Sequence, residues 1–173
     1  MRLLMLSASP WSWVTNTNVM HDQGEALSMS NRIAVFNQGR IEQVGTPREI
    51  YDHPTTAFVA GFVGTSNVMS AAMSHELMGV AAMHSVRPER IRIVQELVAD
   101  SEVSVSGTVN DVQYLGAESR LRVALADGSH LLASVPSDGL VGAAIGGPIR
   151  LAWSRYAAFT VEDQNHTSEG GNQ

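Results

Sequence analysis

The chain of 173 residues contains no cysteine and no lysine, so all 11 of its basic residues are arginine. The absence of cysteine excludes disulfides, thiolate nucleophiles and cysteine-ligated metals. The absence of lysine excludes the phosphate-binding loop G-x-x-x-x-G-K-[ST], whose lysine reaches the terminal phosphates of a nucleotide. The sequence therefore predicts that this chain cannot hydrolyse ATP by itself.

Long apolar runs and positive charge are also missing. No run approaches the roughly 18 apolar residues of a membrane-spanning helix. The apolar patch in the N-terminal MRLLMLSASPWSW is shorter than the roughly 7–15 residues of a signal-peptide core, which predicts no secretory signal. The formal net charge is −6, and no basic cluster offers the electrostatic footprint that nucleic acid requires. We therefore expect no nucleic-acid partner.

The first third of the chain gives clear signals only after residue 18. Residues 1–18 have neither helical nor strand periodicity, and Asn16–Asn18 are turn-like. Asp22 and Glu25 have the spacing of a capping box, which predicts a helix of about ten residues. The run 32–36, the turn residues 37–39 and the alternating run 40–44 predict a β-hairpin.

Two further helices are predicted by their N-terminal residues. Thr46, Pro47 and Glu49 form a second capping box with proline at the first helical position, and Pro54 ends that helix. A short helix from Thr56 to Phe62 follows. Within residues 65–85 the sequence indicates only a helical turn over residues 74–78.

From Ser85 onward the pattern is that of β-strands. Strands are predicted near residues 86–94, 103–115, 120–126, 130–135, 149–153 and 156–161. Asp127-Gly128 predicts a tight hairpin turn, and Gly116 a bulge or corner. Short strands at this spacing indicate a small barrel of the OB type.

Two stretches of the sequence resemble a known family. The stretch VMHDQGEALSMSNRIAV, residues 19–35, and its continuation NQGRIEQVGTPREIYDHPTTAFVAGFVGTSN are similar to the switch-histidine region of ABC-transporter ATPases. The similarity is greatest to importers of the spermidine/putrescine type. The segments VRPERIRI, GTVNDVQYLGAESRLRVALADG and GGPIRLAWS are similar to the TOBE domain of the same subunits.

The resemblance implies an α+β fold, in which a short αββα remnant of the ABC ATPase domain precedes a small OB-like β-barrel, the TOBE domain. The implied organisation is a non-matching segment (1–18), the ATPase remnant (19–64), a linker (65–85), the TOBE domain (86–162) and a disordered tail (163–173). We expect the chain to be truncated relative to the complete subunit, because the P-loop and the acidic magnesium motif are missing.

The resemblance also implies one catalytic position. His21 aligns with the switch histidine, which contacts the γ-phosphate of ATP in a complete ATPase. ATP and Mg²⁺ are the cofactors of the parent family, and we expect neither to bind this chain alone. His21 is therefore expected to be vestigial, and no cofactor-binding or metal-binding residue is predicted.

The function implied is that of the C-terminal part of the ATP-binding subunit of an ABC importer for a polyamine-like solute. Its role would be regulatory, with a second copy of the subunit and the membrane permease as partners. The implied location is the cytoplasmic face of the inner membrane. The alternative is a stand-alone OB-like module that binds a small ligand or an anion.

The Arg87–Glu89 segment and the other histidines are expected to have structural rather than catalytic roles. Arg87-Pro88-Glu89 is interpreted as a rigid turn with a surface ion pair, with an anion or inter-subunit contact as the alternative. The histidines outside position 21 lack ligand spacing; they are His53, His75, His84, His130 and His166.

Overall fold

A computed structural model describes residues 2–7, 16–20, 27, 30–96, 98–140 and 142–163. The chain divides into two compact units, unit 1 from residues 1–65 and 161–173 and unit 2 from residues 66–160. Most of the described elements are β-strands, and the helices are only six to eight residues long. The structure is therefore mostly β, with less helix than the α+β expectation implied.

Unit 1 contains an antiparallel sheet of four strands. They are β1 (Arg2–Ser7), β2 (Asn16–Met20), β3 (Arg32–Asn37) and β4 (Arg40–Gly45), arranged in the order β2-β1-β3-β4. The sequence predicted only β3 and β4. The turn predicted at residues 16–18 is wrong, because these residues pair with residues 5–7 of β1. Pairing between strands has overridden the local turn preference of the asparagines.

The β3–β4 hairpin confirms its prediction. Its two loop residues, Gln38 and Gly39, have φ angles of 47° and 81°. Positive φ at both positions is the geometry that a two-residue turn needs to match the twist of the flanking strands. Ile33 and Val35 of β3 belong to the core of unit 1, and Ala34 between them is buried as well.

Two short helices follow the hairpin, α1 (Pro47–Asp52) and α2 (Ala57–Phe62). At the start of α1, the Thr46 hydroxyl accepts a hydrogen bond from the Glu49 N–H at 3.3 Å, and the Glu49 carboxylate accepts one from the Thr46 N–H at 2.8 Å. The predicted capping box is thus confirmed. The hydrogen bond from the Thr46 backbone lowers the pKa of Glu49, because it stabilises the charged form.

The core of unit 1 lies between its sheet and these helices. Its buried members are Ile33, Val35, Ile50, Val59 and Val63, with Leu27, Tyr51, Phe58 and Phe62 packed against them. The rings of Phe58 and Phe62 stack with their centroids 5.6 Å apart. The C-terminal end of the described chain also belongs to this unit, because Glu162 donates to the Thr55 carbonyl and accepts from the Ala57 N–H. The helix predicted after Asp22 lies outside the described residues except for Leu27, which is helical.

Unit 2 is built from antiparallel pairs that form two sheets. A three-stranded sheet has the order β12-β6-β5 and a five-stranded sheet the order β10-β9-β8-β11-β7. The strands are β5 (Asn67–Met69), β6 (His84–Val86), β7 (Arg92–Ile93), β8 (Glu102–Tyr114), β9 (Glu118–Ala124), β10 (His130–Pro136), β11 (Pro148–Ser154) and β12 (Ala158–Thr160). The edge strands β7 and β10 contact each other, so the larger sheet curls toward closure as an OB-like barrel does.

Most of the predicted strands of unit 2 are present with shifted ends. The exception is the predicted strand 86–94, which is divided into β6, a 3-10 turn at Pro88–Arg90 and β7. Proline lacks an N–H for a ladder, which explains the interruption. Gly116 lies in the β8–β9 turn with a φ of 94°, whereas the bulge of β8 lies between Val109 and Asp111.

The core of unit 2 is formed by alternate residues of the five-stranded sheet and by methionines beneath it. Trp153, Leu151, Leu121 and Leu131 are at most 1% exposed. Met69 of β5 and Met73 of the helix α3 (Ala71–Met78) complete the same cluster. Residues 65–85, which the resemblance assigned to a linker, thus contain β5, α3 and the start of β6.

Asn67 at the start of β5 bonds to β10 of the larger sheet. Its side-chain amide donates to the Leu132 carbonyl at 2.8 Å and to the Val86 carbonyl at 3.3 Å, and its Oδ1 accepts from the Leu132 N–H at 2.7 Å. One carboxamide therefore occupies both backbone groups of Leu132, as a neighbouring strand would. This matters because β10 is an edge strand, whose outward N–H and C=O groups would otherwise need another partner.

Helix α3 contains a buried hydroxyl that its surroundings do not satisfy. Ser74 is fully buried and its Oγ has no hydrogen-bond partner. Replacing Ser74 by alanine removes the unsatisfied group and raises helix propensity, so the variant should be more stable by about 1 kcal/mol. Urea unfolding followed by circular dichroism measures this difference. A lower unfolding midpoint for Ser74→Ala would show that the hydroxyl has a partner in solution.

Candidate functional site

The predicted catalytic position, His21, lies outside the described residues. The backbone immediately before it is described, because β2 ends at Met20, which pairs with Leu3 of β1. Strand β2 is one of the two edge strands of its sheet, which has the order β2-β1-β3-β4. A strand thus leads directly to His21, and it pairs antiparallel with β1.

The one buried histidine of unit 2 is held by two hydrogen bonds. His84 is 7% exposed, and its Nδ1–H donates to the Ala82 carbonyl at 2.9 Å. Its Nε2 lies within hydrogen-bonding distance of the Thr160 hydroxyl, at 3.3 Å. Both ring nitrogens are engaged inside the unit, which indicates a structural role. Across the described ranges, no three histidine, aspartate or glutamate side chains come together as metal ligands would.

The Arg87-Pro88-Glu89 turn differs from its interpretation as a surface feature. Arg87 is 5% exposed, and Pro88 is buried as well. The 3-10 turn that they begin packs against β10, which removes the arginine from the surface. The predicted rigid turn is therefore present, but its Arg87 is buried rather than exposed.

Two shallow hollows flank the segment that follows β7. The first, of about 360 Å³, is lined by Ile93, Val94, Gln95, Ser106, Gly142, Pro148, Ile149 and Arg150. The second, of about 410 Å³, is lined by Arg92, Ile93, Val94, Gln95, Glu96, Val98, Ala99 and Glu102. Their lining residues come from separate parts of the chain, which is why no sequence motif predicted either hollow.

The two hollows differ in whether their arginine forms an ion pair with a carboxylate. In the second, Arg92 is paired with Glu102, with a guanidinium nitrogen 2.6 Å from a carboxylate oxygen. In the first, the Nε of Arg150 donates to the Ser106 hydroxyl at 3.5 Å, the outer limit of a hydrogen bond. Within the described part of the chain, the arginine of the second hollow thus has a carboxylate partner, and that of the first hollow has none.

None of the helices in the described part of the chain combines the length and the apolar character needed to cross a bilayer.

Comparison with known proteins places residues 84–161 in the TOBE domain family. The ABC transporter ATP-binding protein YdcT of Escherichia coli strain K12 is 51% identical over 121 residues, which are 70% of this chain and 35% of that protein. The spermidine/putrescine import ATP-binding protein PotA of Acidothermus cellulolyticus is 40% identical over 149 residues, covering 73% of this chain and 39% of PotA. The sulfate/thiosulfate import ATP-binding protein CysA of Thermosynechococcus vestitus is 38% identical, covering 69% of this chain and 35% of CysA.

A solved structure gives a weaker likeness. The cytoplasmic molybdate-binding protein ModG superposes with a TM-score of 0.44 at 13% identity, covering 51% of this chain and 70% of ModG. That likeness is too distant to transfer a ligand.

All three relatives are named as ATP-binding proteins of transport systems, although the solutes named for PotA and CysA differ. The matched segment of YdcT is longer than residues 84–161, so the likeness extends beyond the TOBE domain. The chain spans less than half the length of each of these relatives. Residues 84–161 thus match the TOBE domain family, and about 70% of the chain matches a part of the ATP-binding proteins of ABC transporters.

Proposed function

We propose that the chain acts as the regulatory, TOBE-containing part of the ATP-binding subunit of an ABC importer and has no catalytic activity of its own. One observation carries the proposal: the segment that matches the relatives is longer than the TOBE domain, so the likeness reaches beyond that domain. In this proposal residues 19–64 are the end of the ATPase domain, residues 65–85 connect it to the TOBE domain of residues 86–162, and residues 163–173 form a disordered tail. Fold alone would not support this function, because OB-like barrels serve many purposes.

The partners follow from the subunit to which the chain is assigned. A second copy of the ATP-binding subunit and the permease are the expected contacts, at the cytoplasmic face of the inner membrane. The names of the relatives include both spermidine/putrescine and sulfate/thiosulfate import. A polyamine-like solute is the assignment that the sequence resemblance favours.

His21 has a role in this proposal only within a complete ATPase. A histidine that senses the γ-phosphate acts by electrostatic positioning, which requires the phosphate to be held already. This chain contains no lysine to hold it. ATP and Mg²⁺ are therefore assigned to the complete subunit, and His21 is vestigial here.

The test is co-purification with the permease. The full chain, carrying an affinity tag, is co-expressed with the permease subunits encoded beside it, and the eluate from detergent-solubilised membranes is analysed. We expect enrichment of that permease and none of a permease from an unrelated importer, which is the matched control. Equal recovery of both permeases, or of neither, would refute the proposal.

The same preparation tests the catalytic part of the proposal. We expect no ATP turnover above background by the chain alone, and no ATP binding tighter than about 1 mM by calorimetry, roughly −4.1 kcal/mol. Turnover that rises with chain concentration and is lost in His21→Ala would contradict the assignment of His21 as vestigial.

A further inference from the structure

The first hollow of unit 2, referred to below as the Arg150 hollow, combines an apolar wall with a cation. Val94 and Pro148 are its more accessible apolar lining residues, whereas Ile93 and Ile149, which also line it, pack with the core of unit 2. Its volume of about 360 Å³ lies at the lower end of the range found for small-molecule sites, about 300–1,000 Å³. The hollow therefore has room for a short organic molecule.

The position of Arg150 is set by the sheet. Strand β11 pairs with β8 so that Arg150 lies directly opposite Ser106, and the Arg150 carbonyl accepts from the Val94 N–H at 2.9 Å. The backbone that carries the guanidinium is thus held from both neighbouring strands. A cation on a rigid strand is better preorganised for a ligand than one on a loop.

The guanidinium has unused capacity. Arginine offers five N–H donors, and the hydrogen bond of Arg150 to the Ser106 hydroxyl uses only Nε, at 3.5 Å. Among the described residues, no carboxylate forms an ion pair with Arg150, in contrast to the neighbouring Arg92. Gln95 adds a side-chain amide to the lining. These donors suit a planar carboxylate, which arginine can bind through two parallel hydrogen bonds.

We propose that the Arg150 hollow binds a small free carboxylate with a short apolar body, the carboxylate on Arg150 and the body against Val94 and Pro148. A bare inorganic oxyanion would use the charge but leave the apolar wall in water. An amine of the same shape would be repelled by the guanidinium. The combination of both features selects an amphiphilic anion, such as a short-chain fatty acid.

This proposal concerns residues of unit 2 alone. It goes beyond the assignment to a transporter subunit and does not depend on it, since a chain that fails to bind a permease would still contain the hollow.

The test uses hexanoate as the probe and the full chain at neutral pH, followed by amide shifts in two-dimensional NMR. We expect saturable shifts at Val94, Gln95, Ser106 and Gly142. Arg150→Gln should weaken binding at least about tenfold, because it removes the charge-assisted hydrogen bonds. The matched control is Arg122→Gln, which removes an exposed arginine of β9 and should leave the affinity unchanged.

Hexylammonium and sulfate complete the experiment. We expect the Kd of each of these two ions to be at least about tenfold higher than the Kd of hexanoate. At the concentration that saturates the shifts with hexanoate, neither ion should therefore saturate them. Three results would each overturn the proposal: no saturable shift with hexanoate, equal binding to wild type and Arg150→Gln, or sulfate binding as tight as hexanoate. Unchanged amide spectra of the ligand-free variants show that the substitutions have not unfolded unit 2.

Discussion

Alanine at position 107 is expected to destabilise unit 2 by about 3 kcal/mol, the upper end of the cost of overpacking. Gly107 lies in β8, opposite Ile149 of β11. A Cβ added there would lie 2.5 Å from the Ala124 carbonyl oxygen and 2.5 Å from Cγ1 of Val123. The carbonyl belongs to the backbone of β9, which its own hydrogen bonds hold in place, so β8 and β9 must move apart to accept the methyl group. Urea unfolding of the full chain, followed by circular dichroism, measures the loss.

The matched control is alanine at Gly139 of the same unit. The nearest atom to a Cβ at that position is Cδ of Pro136, at 4.0 Å, and the backbone does not have a positive φ. We therefore expect Gly139→Ala to unfold within about 0.5 kcal/mol of wild type. If Gly107→Ala matched wild type as closely as this control does, the close approach of β8 and β9 would be wrong.

The sequence did not single out Gly107, although it predicted the strand that contains it. A glycine within a strand pattern indicates a close approach only when its neighbour is known, and here the neighbour is 17 residues further along the chain. The same reason explains why β1 and β2 were not predicted. Strand β1 pairs with β3 and β2 pairs with β1, and nothing in residues 1–18 alone distinguishes a strand from a loop.

Features whose atoms lie within a few residues of each other were predicted correctly. The Thr46–Glu49 capping box is one example. The Asp127-Gly128 turn is another, in which the Asp127 carboxylate accepts hydrogen bonds from the Ser129 hydroxyl at 2.6 Å and the Ser129 N–H at 2.9 Å. These bonds lower the pKa of Asp127, with the hydroxyl contributing most. Such features can be predicted from a few consecutive residues, because both hydrogen-bonding partners lie close together in the sequence.

The two candidate sites also differ in whether their residues are close together in the sequence. His21 was found by resemblance to a continuous stretch of residues, so a family pattern could identify it. The Arg150 hollow joins residues 93–95, 106, 142 and 148–150, which only the β8–β11 pairing brings together. No spacing rule applied to the sequence would connect Arg150 with Ile93.

Replacing Asn67 by alanine should cost about 3 kcal/mol, because it removes three hydrogen bonds at once. Asn67 is 6% exposed, and its loss would leave the N–H and C=O of Leu132 and the C=O of Val86 without this partner. An unsatisfied buried backbone group costs about 1–3 kcal/mol. The unfolding midpoint in urea measures the effect.

Gln113→Ala is the control for the loss of a carboxamide. Gln113 also forms an amide hydrogen bond, to the Asp111 carboxylate at 3.3 Å, but it is exposed. Water replaces that bond when the side chain is removed, so we expect a change within about 0.5 kcal/mol. Equal effects at the two positions would mean that the amide of Asn67 is as well solvated as that of Gln113. The proposed role of Asn67 in satisfying the backbone groups of Leu132 in β10 would then be wrong.

Asn67→Asp separates the donor function of the amide from its acceptor function. At neutral pH the carboxylate can still accept from the Leu132 N–H, but it has no proton to donate to the carbonyls of Leu132 and Val86, and it faces their partial negative charge. We therefore expect Asn67→Asp to be at least as unstable as Asn67→Ala at pH 7. Acidification protonates the carboxyl group and restores one donor, so the stability deficit of Asn67→Asp relative to wild type should shrink as the pH falls. The deficit of Asn67→Ala has no such proton to gain and should stay constant. A pH-independent deficit in both variants would show that the two backbone carbonyls do not need the donor, and that the packing of β5, rather than its amide, holds β10 in place.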